Sequence, residues 1–549
     1  YPADGMDVRR HADIPMASFW MREPYASYEC EEADMREAAS VAHIYGQNIC
    51  ASESFTTNGN DFDCYDRQLA WAMHPGLLKP AADAAMASGL TRFIIHSCIH
   101  QPVDDKVPGL TLNNFGMAFN RHNTWASEAR PWTDYLSRST YLLSQGRFAA
   151  DVAYYYSETT NAVARFHDER PPVPFGHAYD FINKTLVTDV LRTEGPYVVT
   201  DSGMAYRVVI IDRECKYMSV PVLRKFAEFA RAGVLLVGDE PLSHCDLLGS
   251  DAEFRSLVDD IWHSGRFNVV RPSQLENALV SMRIPRDVDF SNPTGADIRF
   301  VHRHLESGEL YWIANLNPEY RRLEISFNVS GMKPVILHAE TGRVEPARYR
   351  MEGGRTKVML DLVPDDAQFI LFEEKTDVKE LVLPRSRQLA GTEVKGPWRI
   401  SFQQGRGAPE CLEDACPGLL SESSDPGVRF FSGTATYSCS FDFSRTDGSV
   451  SYVLDLGEVH DMARVFLNGR DLGLLWKTPF RIDVTDALRE GRNELELKVT
   501  NTWHNRVIGD LQPDVRQKVT YTAYKFYDAD SPLRESGLVG PVAVYPMSK

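Results

Sequence analysis

Long apolar runs are missing from these 549 residues. No stretch approaches the roughly 20 residues that cross a bilayer, so no membrane span is expected. Positive charge is also scarce: 59 Lys and Arg stand against 76 Asp and Glu, for a net charge of −17. Phosphate binding needs clustered basic side chains, so a nucleic-acid partner is excluded, whereas a neutral glycan is compatible. There is no GxGxxG and no P-loop, which argues against a nucleotide site, and no organic cofactor is expected. The nine cysteines show no CxxC and no zinc spacing. Cys411 and Cys416 are near enough in sequence to pair, and the other thiols are expected to be mostly free and buried. Internal repeats and low-complexity tracts are absent. The sequence starts at Tyr1 with no signal peptide, so the expectation is that something has been removed or that the chain is part of a longer protein.

What is present is an ordinary globular composition, 43% hydrophobic and 25% charged, long enough for about three to five domains. The first organising stretch runs from Val41 to Phe55. An alanine-rich helical end stops at Tyr45-Gly46, and a strand-length run from Asn48 to Phe55 delivers Glu53 at its far end. The same layout precedes it, with a strand Ala12 to Met16 and a helix Glu31 to His43. It also follows, with a helix Leu77 to Ser88 and a strand Arg92 to His96. Strand and helix in alternation predict a parallel sheet, and polar residues at C-terminal strand ends are where a (β/α)8 barrel keeps its chemistry. Three strands cannot close a barrel, so residues 1–147 are expected to be its C-terminal strands and helices, with the first strands upstream of Tyr1. Glu53 is the candidate catalytic carboxylate.

Residues 148–290 read as a flavodoxin-like α/β domain, from strands at Val152 to Tyr156, Val208 to Asp212 and Val234 to Gly238 and a helix from Val222 to Ala232. Short alternating strands predict a β-sandwich over 291–375. Lys375 to Gly391 resembles a linker. The segment 376–549 reads as a jelly-roll, galactose-binding-like domain, with a type I′ turn at Asn468-Gly469.

Polar and aromatic residues cluster after the third strand: His96, His100, Gln101 and Pro102, then Phe119-Asn120-Arg121-His122-Asn123-Thr124-Trp125, then Pro131-Trp132-Thr133-Asp134-Tyr135. Aromatics beside Asn, Arg and His suit a sugar, whose C–H faces stack on rings and whose hydroxyls need donors and acceptors. His96, His100, Gln101, Asn120, Arg121, His122 and Trp125 are the candidate substrate contacts. Other readings stay open. His96 and His100 are hydroxyl partners, metal ligands or packing residues; Trp125 and Trp132 are core or sugar platforms; Asp61, Asp63 and Asp66 form a loose calcium loop or a solvated acidic one. Trp476 and Trp503 stack on sugar or pack against the barrel.

At these motifs the chain resembles glycoside hydrolase family 106, which contains α-L-rhamnosidases. The resemblance rests on Glu53-Ser54-Phe55-Thr56, His74-Pro75, Arg92-Phe93 with His96, His100-Gln101-Pro102, and the two aromatic motifs just quoted. Asn468-Gly469, Trp476, Pro479, Asn501-Thr502-Trp503-His504-Asn505-Arg506 and Ser536-Gly537-Leu538 to Gly540-Pro541 resemble its terminal sandwich, itself similar to the sugar-binding domain of family 2 glycosidases. The resemblance implies a (β/α)8 barrel, an inverting mechanism, frequent calcium dependence, and Glu53 as the base. It places the partner carboxylate in an Asp-x-x-Glu motif on an earlier strand. Where the family commonly has Met-Gly-Glu-Phe-Trp, this chain has Met16-Ala17-Ser18-Phe19-Trp20. The expected function is an inverting α-L-rhamnosidase acting on rhamnose-containing oligo- or polysaccharides in the periplasm or outside the cell. The alternatives are a glycosidase for another sugar and a non-catalytic carbohydrate-binding or scaffold protein. Metal ligands and oligomeric state are not assigned.

Overall fold

The computed structural model describes residues 3–21, 29–57, 69–116, 119–167, 169–247, 249–291, 295–446 and 448–548. Asp61, Asp63 and Asp66 lie outside the described residues. Helix α1 (Gly5–Arg9) opens the chain, capped by the Asp4 carboxylate. Then follow β1 (Met16–Trp20), α2 (Glu29–Ile44), β2 (Ala51–Thr56), α3 (Pro75–Ala87) and β3 (Arg92–Ile95). The three strands form one parallel sheet in the order β1-β2-β3. β1 starts four residues later than expected. Its predicted start is instead bends, with the Arg9 guanidinium donating to the Met16 carbonyl where the strand begins.

Successive residues of a strand face opposite sides, so partners across the ladder share a face. Ala17, Phe19, Ser52, Ser54 and Phe93 face the helices, where Ala38, Ala39 and Ala42 of α2 meet Leu78, Ala82 and Ala85 of α3. Small side chains let these elements approach closely. At Gly89 (φ +109°) an added Cβ would lie 2.4 Å from that of Ala39, so only glycine fits. The other face holds Met16, Ser18, Glu53 and Ile94; no described helix covers it, and Met16 and Ile94 are 40% and 45% exposed.

The second unit is a five-stranded sheet of Tyr179–Ile182, Val152–Tyr155, Val208–Ile211, Leu235–Val237 and Val269–Val270, all parallel. Numbered along the chain the order is 2-1-3-4-5, that of flavodoxin-like sheets. The amphipathic helix Val220–Ala232 packs on it and stops at Gly233 (φ +92°). Two antiparallel sheets sharing a core form the third unit. Arg147–Phe148 and Val288–Asp289 pair into it, so its seams cross the expected boundaries at 147 and 290. The C-terminal unit likewise has two antiparallel sheets around one core, and the expected linker stitches units together. Glu380–Leu381 pairs with Tyr349–Glu352, and Arg387–Gln388 with Ala543–Ser548. Asn468 (φ +54°) and Gly469 (φ +78°) form the two-residue turn the sequence predicts.

Among the described residues seven cysteines are free, and only Cys50, Cys215 and Cys439 are buried. Cys411 and Cys416 do not pair. The strand Cys411–Ala415 is extended, which separates its ends by on the order of 15 Å. No described helix is long and apolar enough to cross a membrane.

One charged junction ties three units. Glu32 of α2 accepts from Arg170 at 2.9 and 3.1 Å and pairs with Arg299 at 2.7 Å; both arginines also reach Asp297. Burial pushes the Glu32 carboxyl up, but the two guanidinium groups outweigh it and hold its pKa below the ordinary value. The folded state therefore binds fewer protons there than the unfolded chain. The stability is complete above the ordinary glutamate value of about 4.3 and lost as pH falls through the depressed one. Glu32→Gln is expected to destabilise by about 1.5–3 kcal/mol at pH 7. Urea midpoints should show this difference shrinking as pH drops below 4; a gap independent of pH would contradict the assignment.

Candidate active site

Glu53 sits midway along β2, between Ser18 of β1 and Ile94 of β3. It is half-buried on the uncovered face, and its Oε1 accepts from the Thr56 hydroxyl at 3.2 Å. The next strand end lies against it, because the His96 amide donates to the Ser54 carbonyl at 2.9 Å. His96 is half-buried with its Nδ1 enclosed and without a hydrogen-bond partner, and its ring meets Phe115 edge-on at 6.5 Å. Trp20 meets the same Phe115 at 5.9 Å. Gly116 (φ +65°) permits this loop to lie on the strand end, since an added Cβ would lie 2.1 Å from Ser97 Oγ. Trp20, Phe115 and His96 thus wall the C-terminal end of the Glu53 strand. Trp20 and His96 belong to motifs visible in the sequence; Phe115 carried no signal there.

The other candidates divide. His100 is exposed on the loop, five residues beyond the end of β3. Gln101 is buried at 4% exposure and its amide is spent on the loop: Nε2 donates to the Leu110 carbonyl at 2.9 Å, and Oε1 accepts from the Leu110 amide at 2.8 Å. Trp125 is also buried, its indole donating to the Met73 carbonyl at 2.8 Å. Asn120 Oδ1 accepts from the His122 amide at 2.7 Å, shaping the turn. Arg121 and His122 converge on Asp104, at 2.7 and 3.2 Å, rather than on the Glu53 strand. Asp104 carries no signal in the sequence, because a lone exposed carboxylate has no pattern there. Trp132 is core, packed on Phe55, Tyr135 and Trp476.

The loop after β3 is clamped by the C-terminal unit. Trp503 is fully buried and donates its indole N–H to the His122 carbonyl at 2.8 Å. Tyr521–Thr522 adds a parallel strand to Pro108–Gly109, Arg464 pairs with Glu128 at 2.7 Å, and His74 lies 3.5 Å from Asp461. Trp476 and Trp503 are therefore packing residues between units. An open cavity of about 860 Å³ lies away from Glu53, on the outer C-terminal sheet, lined by Arg399, Ser440, Phe466, Arg492 and Glu494.

A parallel strand-and-helix unit with a carboxylate on its open face, joined to α/β and antiparallel β units, is a multidomain architecture with a candidate acid–base group at its centre. Residues 1–351 match the glycoside hydrolase family 106, alpha-L-rhamnosidase, and residues 421–522 match the glycosyl hydrolase 2 galactose-binding domain-like family. The chain belongs to glycoside hydrolase family 106. It is similar to the solved rhamnosidase from Novosphingobium sp. PP1Y, with 40% identity and a TM-score of 0.88 over 99% of this chain and 52% of that one. It is 25% identical to a putative beta-glucuronidase of Formosa agariphila, in an alignment covering 99% of this chain and 66% of the relative. The chain thus spans about half to two thirds of the length of the relatives it matches.

Trp503→Phe substitutes a smaller ring for the buried indole, which removes the donor, leaves the His122 carbonyl unsatisfied and opens a small cavity. A loss of about 1–3 kcal/mol is expected. Thermal unfolding should show it as a lower midpoint, and an unchanged midpoint would remove the indole bond from the clamp.

Proposed function

We propose that the whole protein is an inverting α-L-rhamnosidase and that Glu53 is its general base. The observation that carries this reading is the position of Glu53: it lies on the one face of a parallel sheet that no described helix covers, in a chain of family 106. Parallel sheets are normally covered on both faces. We read β1 to β3 as part of a (β/α)8 barrel whose interior is the Glu53 face, with the remaining strands supplied by residues beyond these 549. In an inverting hydrolase two carboxyl groups stand about 6.5–9.5 Å apart, one protonating the leaving oxygen and one taking a proton from water. Glu53, anchored by Thr56, deprotonates the water; the acid lies on a strand outside this sequence. His96, at the end of β3, and His100, exposed on the loop beyond it, are the proposed sugar-hydroxyl partners, while Asn120 shapes its turn and Arg121 and His122 close on Asp104. Gln101 and Trp125 hold that loop in place.

Calcium goes with the family, and the Glu53 face of the described residues offers Glu53 as its one carboxylate along the three-strand register. Ser18 stands where a carboxylate is usual, and neither group of three or more ligand-type side chains lies there. No step is routed through the ion. The antiparallel C-terminal unit is read as a jelly-roll that braces the site loop, and the enzyme as periplasmic or secreted. Ser18 also favours a second reading, the same fold with a different sugar preference.

The test is rhamnose release by the full reading frame from aryl α-L-rhamnosides and rhamnose-capped oligosaccharides, with calcium and with EDTA. Glu53→Gln is expected to lower the rate by about 10²–10⁴-fold, the range of general acid–base catalysis, with an unchanged melting temperature. Normal turnover in that variant would remove Glu53 from the mechanism. A folded wild type inactive on rhamnosides but active on other glycosides would establish the second reading, and one inactive on all of them a binding protein.

A further inference from the structure

In the third unit the strands Ile298–His304 and Glu309–Asn315 are antiparallel neighbours, with His302 opposite Tyr311 and His304 opposite Glu309. Residues two apart on a strand share a face, and cross-strand partners stand about 4.5–5.5 Å apart at Cβ. His302, His304 and Glu309 are thus forced onto one patch. Glu309 Oε2 lies 3.0 Å from His302 Nε2 and 2.8 Å from His304 Nδ1. One ligand atom from each residue lies within 4.8 Å of the others. A tetrahedral ion with bonds of about 2.0–2.2 Å to nitrogen and oxygen holds its ligand atoms roughly 3.3 Å apart, so the three require little movement.

The support behind these atoms is also built. The second nitrogen of His302, Nδ1, is 2.8 Å from Asp287 Oδ2, and the other Asp287 oxygen accepts from the Tyr311 hydroxyl at 2.7 Å. Tyr311 stacks on the His302 ring at 3.9 Å. A carboxylate on the far nitrogen fixes which tautomer a ligating histidine presents and raises its basicity. His302 is buried, whereas the His304 and Glu309 side chains are 42% and 27% exposed, so the patch opens to solvent on one side. Arg147 stands opposite His304 on the other neighbouring strand, but its guanidinium donates to the Gly203 carbonyl.

We propose that His302, His304 and Glu309 bind one divalent transition-metal ion of the zinc class, with Asp287 orienting His302 and water completing the shell. Imidazole and carboxylate donors suit zinc, cobalt and nickel over calcium. The strand that carries both histidines also pairs with Arg147–Phe148, at the end of the first unit, so the ion braces that seam. Without a metal the same atoms form a hydrogen-bonded cluster, with His302 held between the Asp287 and Glu309 carboxylates.

The experiment titrates EDTA-stripped chain with Zn²⁺ by calorimetry and with Co²⁺ by visible absorption. One equivalent per chain is expected, with the strong visible bands of tetrahedral cobalt and no near-ultraviolet thiolate band. His304→Ala and Glu309→Gln, at the partly exposed positions, should each abolish it. Asp287→Asn should keep the stoichiometry and weaken affinity by about 10–100-fold. Glu458→Gln, in the other three-residue group (Glu458, His460, Glu535), should change nothing. No binding by the wild type, a thiolate band, or one equivalent retained in both His304→Ala and Glu309→Gln would each overturn the proposal.

Discussion

The parallel pairing of β2 between β1 and β3 is the interaction on which the site depends. It sets the direction of every side chain along the strands, so that Ser52 and Ser54 meet the helices while Glu53 emerges on the opposite face. A slip of one residue in either ladder would turn Glu53 into the alanine-lined core, where an unpaired carboxylate cannot be accommodated. The tight fit of α2, α3 and Gly89 makes that register hard to change, because their small side chains leave no room for displacement.

The remaining units are organised around that sheet. The flavodoxin-like unit and the third unit meet α2 at the Glu32 junction, where two guanidinium groups and Asp297 complete a charge cluster that no single unit could satisfy. The C-terminal unit reaches back across 336 residues of sequence or more to hold the loop after β3, through Trp503, Tyr521 and Arg464. Aromatic residues that resemble sugar platforms in the sequence are here used as mortar. Trp125, Trp132, Trp476 and Trp503 each bury a large apolar surface, and the indoles of Trp125 and Trp503 each find a carbonyl.

Much of this was legible in the residues. Alternating strand and helix patterns located β2 and β3, glycine at 233 marked a helix stop, and Asn468-Gly469 marked a turn, because these depend on local backbone preferences. Ala12 to Met16 reads as strand in sequence but the strand begins only at Met16, where Arg9 reaches the Met16 carbonyl from seven residues away. The short strand Tyr179–Ile182 has no clear signal in the sequence, because its burial comes from partners elsewhere in the chain.

The sequence by itself determined the family, the parallel unit at its start and Glu53 as the residue of interest, because motif, periodicity and strand length are local properties. Only the tertiary structure decided what the neighbouring polar residues do. Gln101 is consumed by its own loop, Arg121 and His122 close on Asp104, and His302, His304 and Glu309 come together across a hairpin. Hydrogen bonds and converging ligand atoms are set by distances in space, and residue type and spacing along the chain do not carry those distances.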